Sequence, residues 1–232
     1  MEDSSNSFYD NYEKFAFKSA PDEALFLRVL DRLKTLKEKH PTFTFIKTVS
    51  THSPFINPDN KKSSEEKTFK YSDKEIGKFY SQLQKQNFFD DGIMIILGDH
   101  RKMATLLKEE VDKFGSINAK SQVPLILISK NKKPGIVTQQ FQQVDIYNSL
   151  KNLISNESCS SPWMGDIMAT NISPKYVAFK HSSQYYPVTI FEKIQNYQVH
   201  LEAEDSWVKS KNMPKEKIEN EILGKIHSLR LK

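Results

Sequence analysis

The stretch "GIMIILGDHRKMA" at residues 92–104 decides how this chain is read. A run of aliphatic residues, Ile93 to Leu97, ends in Gly98-Asp99-His100, with Arg101 immediately behind. An apolar run of that length without polar alternation predicts a strand covered on both faces. Within a strand, neighbouring side chains point to opposite faces, but a glycine-assisted turn at its end can bring two of them toward one point. Ligand sites in open α/β sheets gather at the carboxyl ends of the strands. There a carboxylate oxygen and a neutral imidazole nitrogen are two donors for a divalent cation such as Zn, Mn or Mg, although zinc wants about four donors and magnesium about six. The pair is equally compatible with Asp99 capping the helix that follows and His100 standing on the surface as an ordinary histidine.

On the N-terminal side, "DEALFLRVLDRLKTLKEK" (22–39) sets Leu25, Val29, Leu33 and Leu36 on one face at helical spacing, between Pro21-Asp22 and His40-Pro41. "FTFIKTV" (43–49) reads as a buried strand, and a second helix is expected from about Ser72 with Ile76, Phe79, Tyr80 and Leu83 inside. Beyond the strand at 92–98 come a short helix near 103–113, a strand "VPLILIS" (123–129) and an amphipathic helix over 143–154. This alternation predicts an α/β fold, an α/β/α sandwich around a largely parallel central sheet, over residues 1–160. Over 161–232 the character changes. "KYVAFK", "YYPVTIF" and "YQVHLE" are short, closely spaced strands that predict a small antiparallel β subdomain, followed by a C-terminal helix that starts near Pro214.

Composition sets the outer limits. With 232 residues, 38% hydrophobic and 11% aromatic, the chain is expected to fold rather than stay disordered. No apolar run approaches the ~20 residues of a membrane-spanning helix. The opening "MEDSSNSFYDNYEKF" is polar and lacks the apolar core of a signal peptide. The single cysteine, Cys159, excludes an internal disulfide framework and a cysteine-based zinc cluster. The net charge of +5 is spread along the chain, so no nucleic-acid partner is expected. G-x-x-x-x-G-K-[ST], G-x-G-x-x-G and G-x-S-x-G are all absent, which points to side-chain ligands rather than a glycine cradle or a nucleophile elbow.

A second histidine, His52 in "TVSTHSPF" (48–55), also lies just past a predicted buried strand, on the same rim as Asp99 and His100. A histidine there can hydrogen-bond a phosphate or sulfate oxygen, or simply serve its loop. Ser50, Thr51 and Ser53 stand on that rim too. Asp22 and Asp145 fall at helix starts, where capping is the default use of an aspartate, and Asp166 lies in a loop. His40, His181, His200 and His227 have no partner that spacing can name, and Trp163 and Trp207 read as packing residues.

Taken in order, "APDEALFLRVLDRLK", "FTFIKTVSTHSPF", "FKYSDKEIGKFYSQLQKQNFFDDGIMIILGDH", "VPLILIS" and "QVDIYNSLKNLI" resemble the catalytic domain of the lipoteichoic acid synthase-like sulfatases, within the alkaline phosphatase superfamily. The resemblance runs through residues 20–155 without a break and is most specific over 69–100. It implies an enzyme at the extracytoplasmic face of the bacterial cytoplasmic membrane. Such an enzyme uses one divalent metal and a threonine or serine nucleophile to cleave or transfer phosphate or sulfate esters, lipid-derived substrates among them. By the same likeness Asp99 and His100 are metal ligands, and His52 contacts the phosphate group of the substrate. "GDHRKM" is similar to a branch of envelope enzymes with arginine after the histidine, so Arg101 is expected to bind substrate as well.

Two departures qualify this. Family members carry the nucleophile and another acidic ligand well upstream of the region matching residue 20, and "MEDSSNSFYDNYEKFAFKSA" has nothing like that segment. Ala104 stands where some relatives have a further histidine. The expectation is therefore a C-terminal portion of such an enzyme, holding half a metal site and no nucleophile, whose missing N-terminal part is its natural partner. The alternative is a non-catalytic truncated relic or interaction module that keeps the fold.

Overall fold

The computed structural model describes residues 3, 5–36, 41–102, 104–155, 163–169, 171–180, 188–192, 195–201 and 206–209. The chain divides into two compact units, residues 1–99 with 123–133 and residues 100–122 with 134–232. The fold is of the α/β class.

In the first unit the helices α1 (Asp22–Thr35) and α2 (Glu65–Lys85) form the core. Phe26 and Leu30 of α1 meet Phe79 and Leu83 of α2, all four buried, and the rings of Phe26 and Phe79 stack at 4.8 Å. Val29, Leu33, Ile46, Ile76, Phe88, Phe89 and Met94 pack around them. The buried stripe of α1 is therefore turned from the expected one, toward Phe26 and Leu30, and Leu36 lies exposed past the helix end. α2 begins at Ser64 rather than at Ser72: the Ser64 hydroxyl accepts from the Lys67 amide, and Glu65 and Glu66 meet the positive end of the helix. Ser72 is instead buried within it.

Residues 43–49 form no strand. A strand needs a ladder partner for its backbone groups, and this stretch has none among the described residues, so Phe43 and Phe45 face solvent while Ile46 alone turns to the core. The unit's sheet is a ribbon of β1 (Met94–Leu97) and β2 (Leu125–Ile128), paired antiparallel with Met94 opposite Ile128 and Leu97 opposite Leu125. The largely parallel central sheet expected from the sequence is thus not what the described strands form. Continuous apolar runs report that a strand wants cover on both faces, but they carry no information on its direction. None of these eight aliphatic residues is buried, and Leu125 and Ile126 are exposed.

The second unit holds α3 (Lys108–Phe114) and α4 (Ser116–Ser121), divided at Gly115, whose φ of 76° ends one helix before the next begins. A single helix near 103–113 was the expectation. α5 (Asp145–Ser155) follows. The chain then forms an antiparallel meander of β3 (Val177–Lys180), β4 (Val188–Glu192), β5 (Gln195–Leu201) and β6 (Ser206–Lys209), in that spatial order. This is the antiparallel arrangement expected beyond residue 160. The expected C-terminal helix, Cys159, His40, His181 and His227 lie outside the described residues. No described helix is long and apolar enough to cross a membrane.

Candidate functional site

The loop that carries His52 is fixed by a buried carboxylate. Asp22 is 2% exposed and makes no capping bond to α1. Its Oδ1 accepts from the amides of Val49 (2.9 Å) and Ser50 (3.1 Å), and its Oδ2 accepts from the Ser72 hydroxyl at 3.3 Å. The Asp22 amide in turn donates to Ser50 Oγ at 3.2 Å. Next to this clasp the Glu23 amide donates to the phenol oxygen of Tyr71, whose pKa burial pushes upward so that it stays protonated. The chain then turns tightly: the His52 amide donates to Val49 O and the Phe55 amide to His52 O, each at 2.9 Å.

The ring of His52 is oriented by its own backbone. Nδ1 lies 2.6 Å from Ser53 O. A carbonyl only accepts, so Nδ1 carries the proton and Nε2 is the lone-pair nitrogen of the neutral ring, or the second donor of the imidazolium. The ring of Phe17 stands against it, with centroids 4.4 Å apart and an interplanar angle of 67°. Of the three hydroxyls on this rim, Ser50 is buried and bonded to Asp22, so it serves the clasp.

Asp99 and His100 follow β1 and are exposed. Gly98 ties the end of the strand back to its neighbour by donating to Pro124 O. His100 repeats the device of His52, with Nδ1 2.7 Å from the carbonyl of the next residue, Arg101. That again puts the proton on Nδ1 and the lone pair of the neutral ring on Nε2. Asp99 does not cap α3, which starts at Lys108 behind Leu107. The guanidinium of Arg101 donates to Lys102 O and Ala104 O and pairs with Glu110. Glu110 also accepts from the Leu107 amide, and that bond, with the Arg101 pair, holds its carboxyl below the usual range. Arg101 therefore shapes the turn between β1 and α3, and any substrate contact it makes has to compete with these bonds.

Asp145 and Asp166 belong to a second polar cluster. Asp145 is buried and accepts from the amides of Gln142 (2.7 Å) and Gly165 (2.8 Å); burial nevertheless pushes its carboxyl upward. Burial acts the same way on Asp166, but there the bonds from Asn152 Nδ2 and the Met168 amide prevail and lower it. Asn148 Nδ2 donates to Gly165 O, and Ser149 Oγ accepts from the Ile167 amide. The cluster fastens residues 163–169 to α5, beside the Trp163–Tyr176 ring contact. Trp163 packs, as its sequence reading held. The clasps of Asp22 and Asp145 escaped sequence reasoning because their partners are backbone amides, which leave no residue-type signature.

A sulfatase family model matches residues 2–155, and the chain belongs to that family. Lipoteichoic acid synthase 1 of Bacillus subtilis is 27% identical to it over 57% of this chain and 23% of its own length. For lipoteichoic acid synthase 2 of the same organism the figures are 26%, 93% and 38%. The chain thus spans less than two-fifths of the length of either relative. Among solved structures, the lipoteichoic acid synthase LtaP of Listeria monocytogenes superposes with a TM-score of 0.62 at 22% identity, covering 87% of this chain and 55% of that one. An alkaline phosphatase superfamily protein of Vibrio parahaemolyticus gives 0.61 at 19% identity, with 90% and 54% covered. At these identities the structural likeness is one of fold.

Sulfatases and the alkaline phosphatase superfamily generally use a divalent metal. Among the described residues no group of three or more His, Cys, Asp or Glu side chains is gathered as a cage. Asp99 and His100 offer two donors, short of the four to six a divalent cation takes. The described residues do not by themselves make a complete metal site.

Proposed function

We propose that this chain supplies part of the active site of an envelope enzyme that cleaves or transfers phosphate or sulfate esters. Asp99 and His100 contribute two of the cation's donors, His52 meets an ester oxygen, and a further polypeptide segment brings the nucleophile and the remaining ligands. The observation that carries this reading is the shared setting of His52 and His100. Each is exposed in a loop, and each has Nδ1 held by the next carbonyl so that Nε2 is the working nitrogen. In the imidazolium form Nδ1–H stays on Ser53 O while Nε2–H donates to an anionic oxygen, and such a fixed donor stabilises charge as it shifts onto that oxygen. In its neutral form His100 offers its lone pair to a cation. Arg101 adds positive charge behind it, and the relatives' names make an ester borne on a lipid-linked polymer a reasonable substrate.

Titration with Mn²⁺, followed by line broadening of the histidine ring signals, tests the reading. Weak binding at His100 is expected, reduced at least tenfold in Asp99→Ala, with ester turnover appearing only when the N-terminal part of such a catalytic domain is added. Robust phosphatase activity from the 232 residues alone would contradict the shared-site idea.

The lack of a three-donor cage among the described residues favours a second reading, a non-catalytic interaction module that keeps the fold. Absence of metal binding, together with no turnover on adding the N-terminal part, would select it.

A further inference from the structure

Phe17 and Lys18 are consecutive non-glycine residues with φ of 54° and 58°. The left-handed region disfavours any residue with a Cβ, and such strain persists where the surroundings enforce it, commonly at ligand sites. Here it sets the phenyl ring of Phe17 in solvent, 69% exposed, against the ring of His52. An exposed ring in a costly backbone conformation contributes little to packing. His52 also borders a small cleft lined by Phe15, Ala16, Val49 and Ile56 together with Ser19 and Ser50, with room for little more than a water molecule, so Phe17 rather than this cleft offers apolar surface to a ligand.

We infer that the exposed ring of Phe17 forms the subsite for the carbon skeleton next to the ester oxygen, so that His52 takes the phosphate or sulfate and Phe17 the C–H groups of an alcohol. The inference rests on the proposed role of His52. Its physical content is selectivity: inorganic phosphate reaches only His52, whereas an ester with an apolar alcohol also removes part of the Phe17 ring from water. Covering a few tens of Å² of apolar surface at ~25 cal/mol per Å² corresponds to an affinity gain of about fivefold. A charged alcohol gains nothing there.

The test is a titration of the ¹³C-histidine-labelled full chain with inorganic phosphate and with phenyl phosphate, read at the His52 ring signals. The wild type should bind phenyl phosphate about fivefold more tightly than phosphate. Phe17→Ala should remove that preference and leave phosphate affinity within about twofold, and Phe17→Leu should keep part of it. If Phe17→Ala weakens both ligands equally, or neither, the subsite is overturned while the role of His52 stands. If neither ligand moves the His52 signals of the wild type, the role of His52 is overturned and the subsite falls with it.

Discussion

Asp22 and Asp145 open the first and the last of the described α-helices, and each turns its carboxylate to a loop elsewhere in the chain. Asp22 gathers the amides of Val49 and Ser50, and Asp145 gathers those of Gln142 and Gly165. The two differ in what they fasten. The loop held by Asp22 runs on to His52, whereas the loop held by Asp145 carries Trp163 and Ile167 into packing. A buried carboxylate thus marks a joint in the fold, and only the cargo of the joint says whether chemistry sits there. In this chain the proposed site residues, His52, Asp99 and His100, are exposed.

The contrast breaks most readily at Asp22. Asp22→Ala strands two amides and one hydroxyl in the interior, at ~1 kcal/mol or more each, so urea unfolding should report a loss of about 3 kcal/mol. The His52 ring signals should broaden or move as well. A loss below about 1 kcal/mol, or an unaltered His52 spectrum, would dissolve the link between clasp and site.

Gly165→Ala is the matching strike on the second joint. The added Cβ would lie 2.6 Å from Pro174 Cδ, 2.9 Å from the Phe141 ring and 3.1 Å from the Asp145 carboxylate. Crowding of that kind costs about 2 kcal/mol, and thermal unfolding should show it while His52 stays as in the wild type. A shifted His52 spectrum would mean that the two joints are not separate.

Acidity sharpens the comparison within the second cluster. The Asp145 carboxyl is raised by burial, so its contribution to stability is full below the unfolded-state pKa and is lost as pH rises through the folded one. The margin of wild type over Asp145→Asn should therefore grow as the solution is acidified through the carboxylate range. Asp166 is lowered, so its contribution is present above the unfolded-state pKa and fades as pH falls through the folded one, and the margin over Asp166→Asn should shrink over the same descent. Parallel slopes for the two variants would refute the assignment.

The mildest change is at the ribbon. Ile126 is 54% exposed, so Ile126→Thr should alter stability by no more than ~0.5 kcal/mol. It should nonetheless reduce self-association in sedimentation, because exposed strand faces are where sheets recruit other chains.

Much of this was legible in the residues. The helix at Asp145–Ser155, the strands at Met94–Leu97 and Leu125–Ile128 and the meander beyond residue 160 follow from periodicity and turn chemistry. The stripe on α1 was displaced because Phe26 and Leu30 continue the same helical spacing as Val29 and Leu33, and only the position of α2 decides which of them face inward. Residues 43–49 have the composition of a strand, but a strand exists only with a partner. The direction of β2 was hidden for a related reason: α3 and α4 between the two strands form a connection long enough for either sense. The candidate residues were visible by type and position, whereas the contact of Phe17 with His52 depends on backbone angles that no motif records.

His52 and His100 each rest Nδ1 on the carbonyl that follows in the chain. Every amino acid brings that oxygen, so exchanging the side chain at position 53 or 101 leaves the tautomer where it is. Whoever redesigns either loop inherits an imidazole already aimed; Ser53 can be varied for charge or shape on that account, whereas Arg101 also holds its own turn.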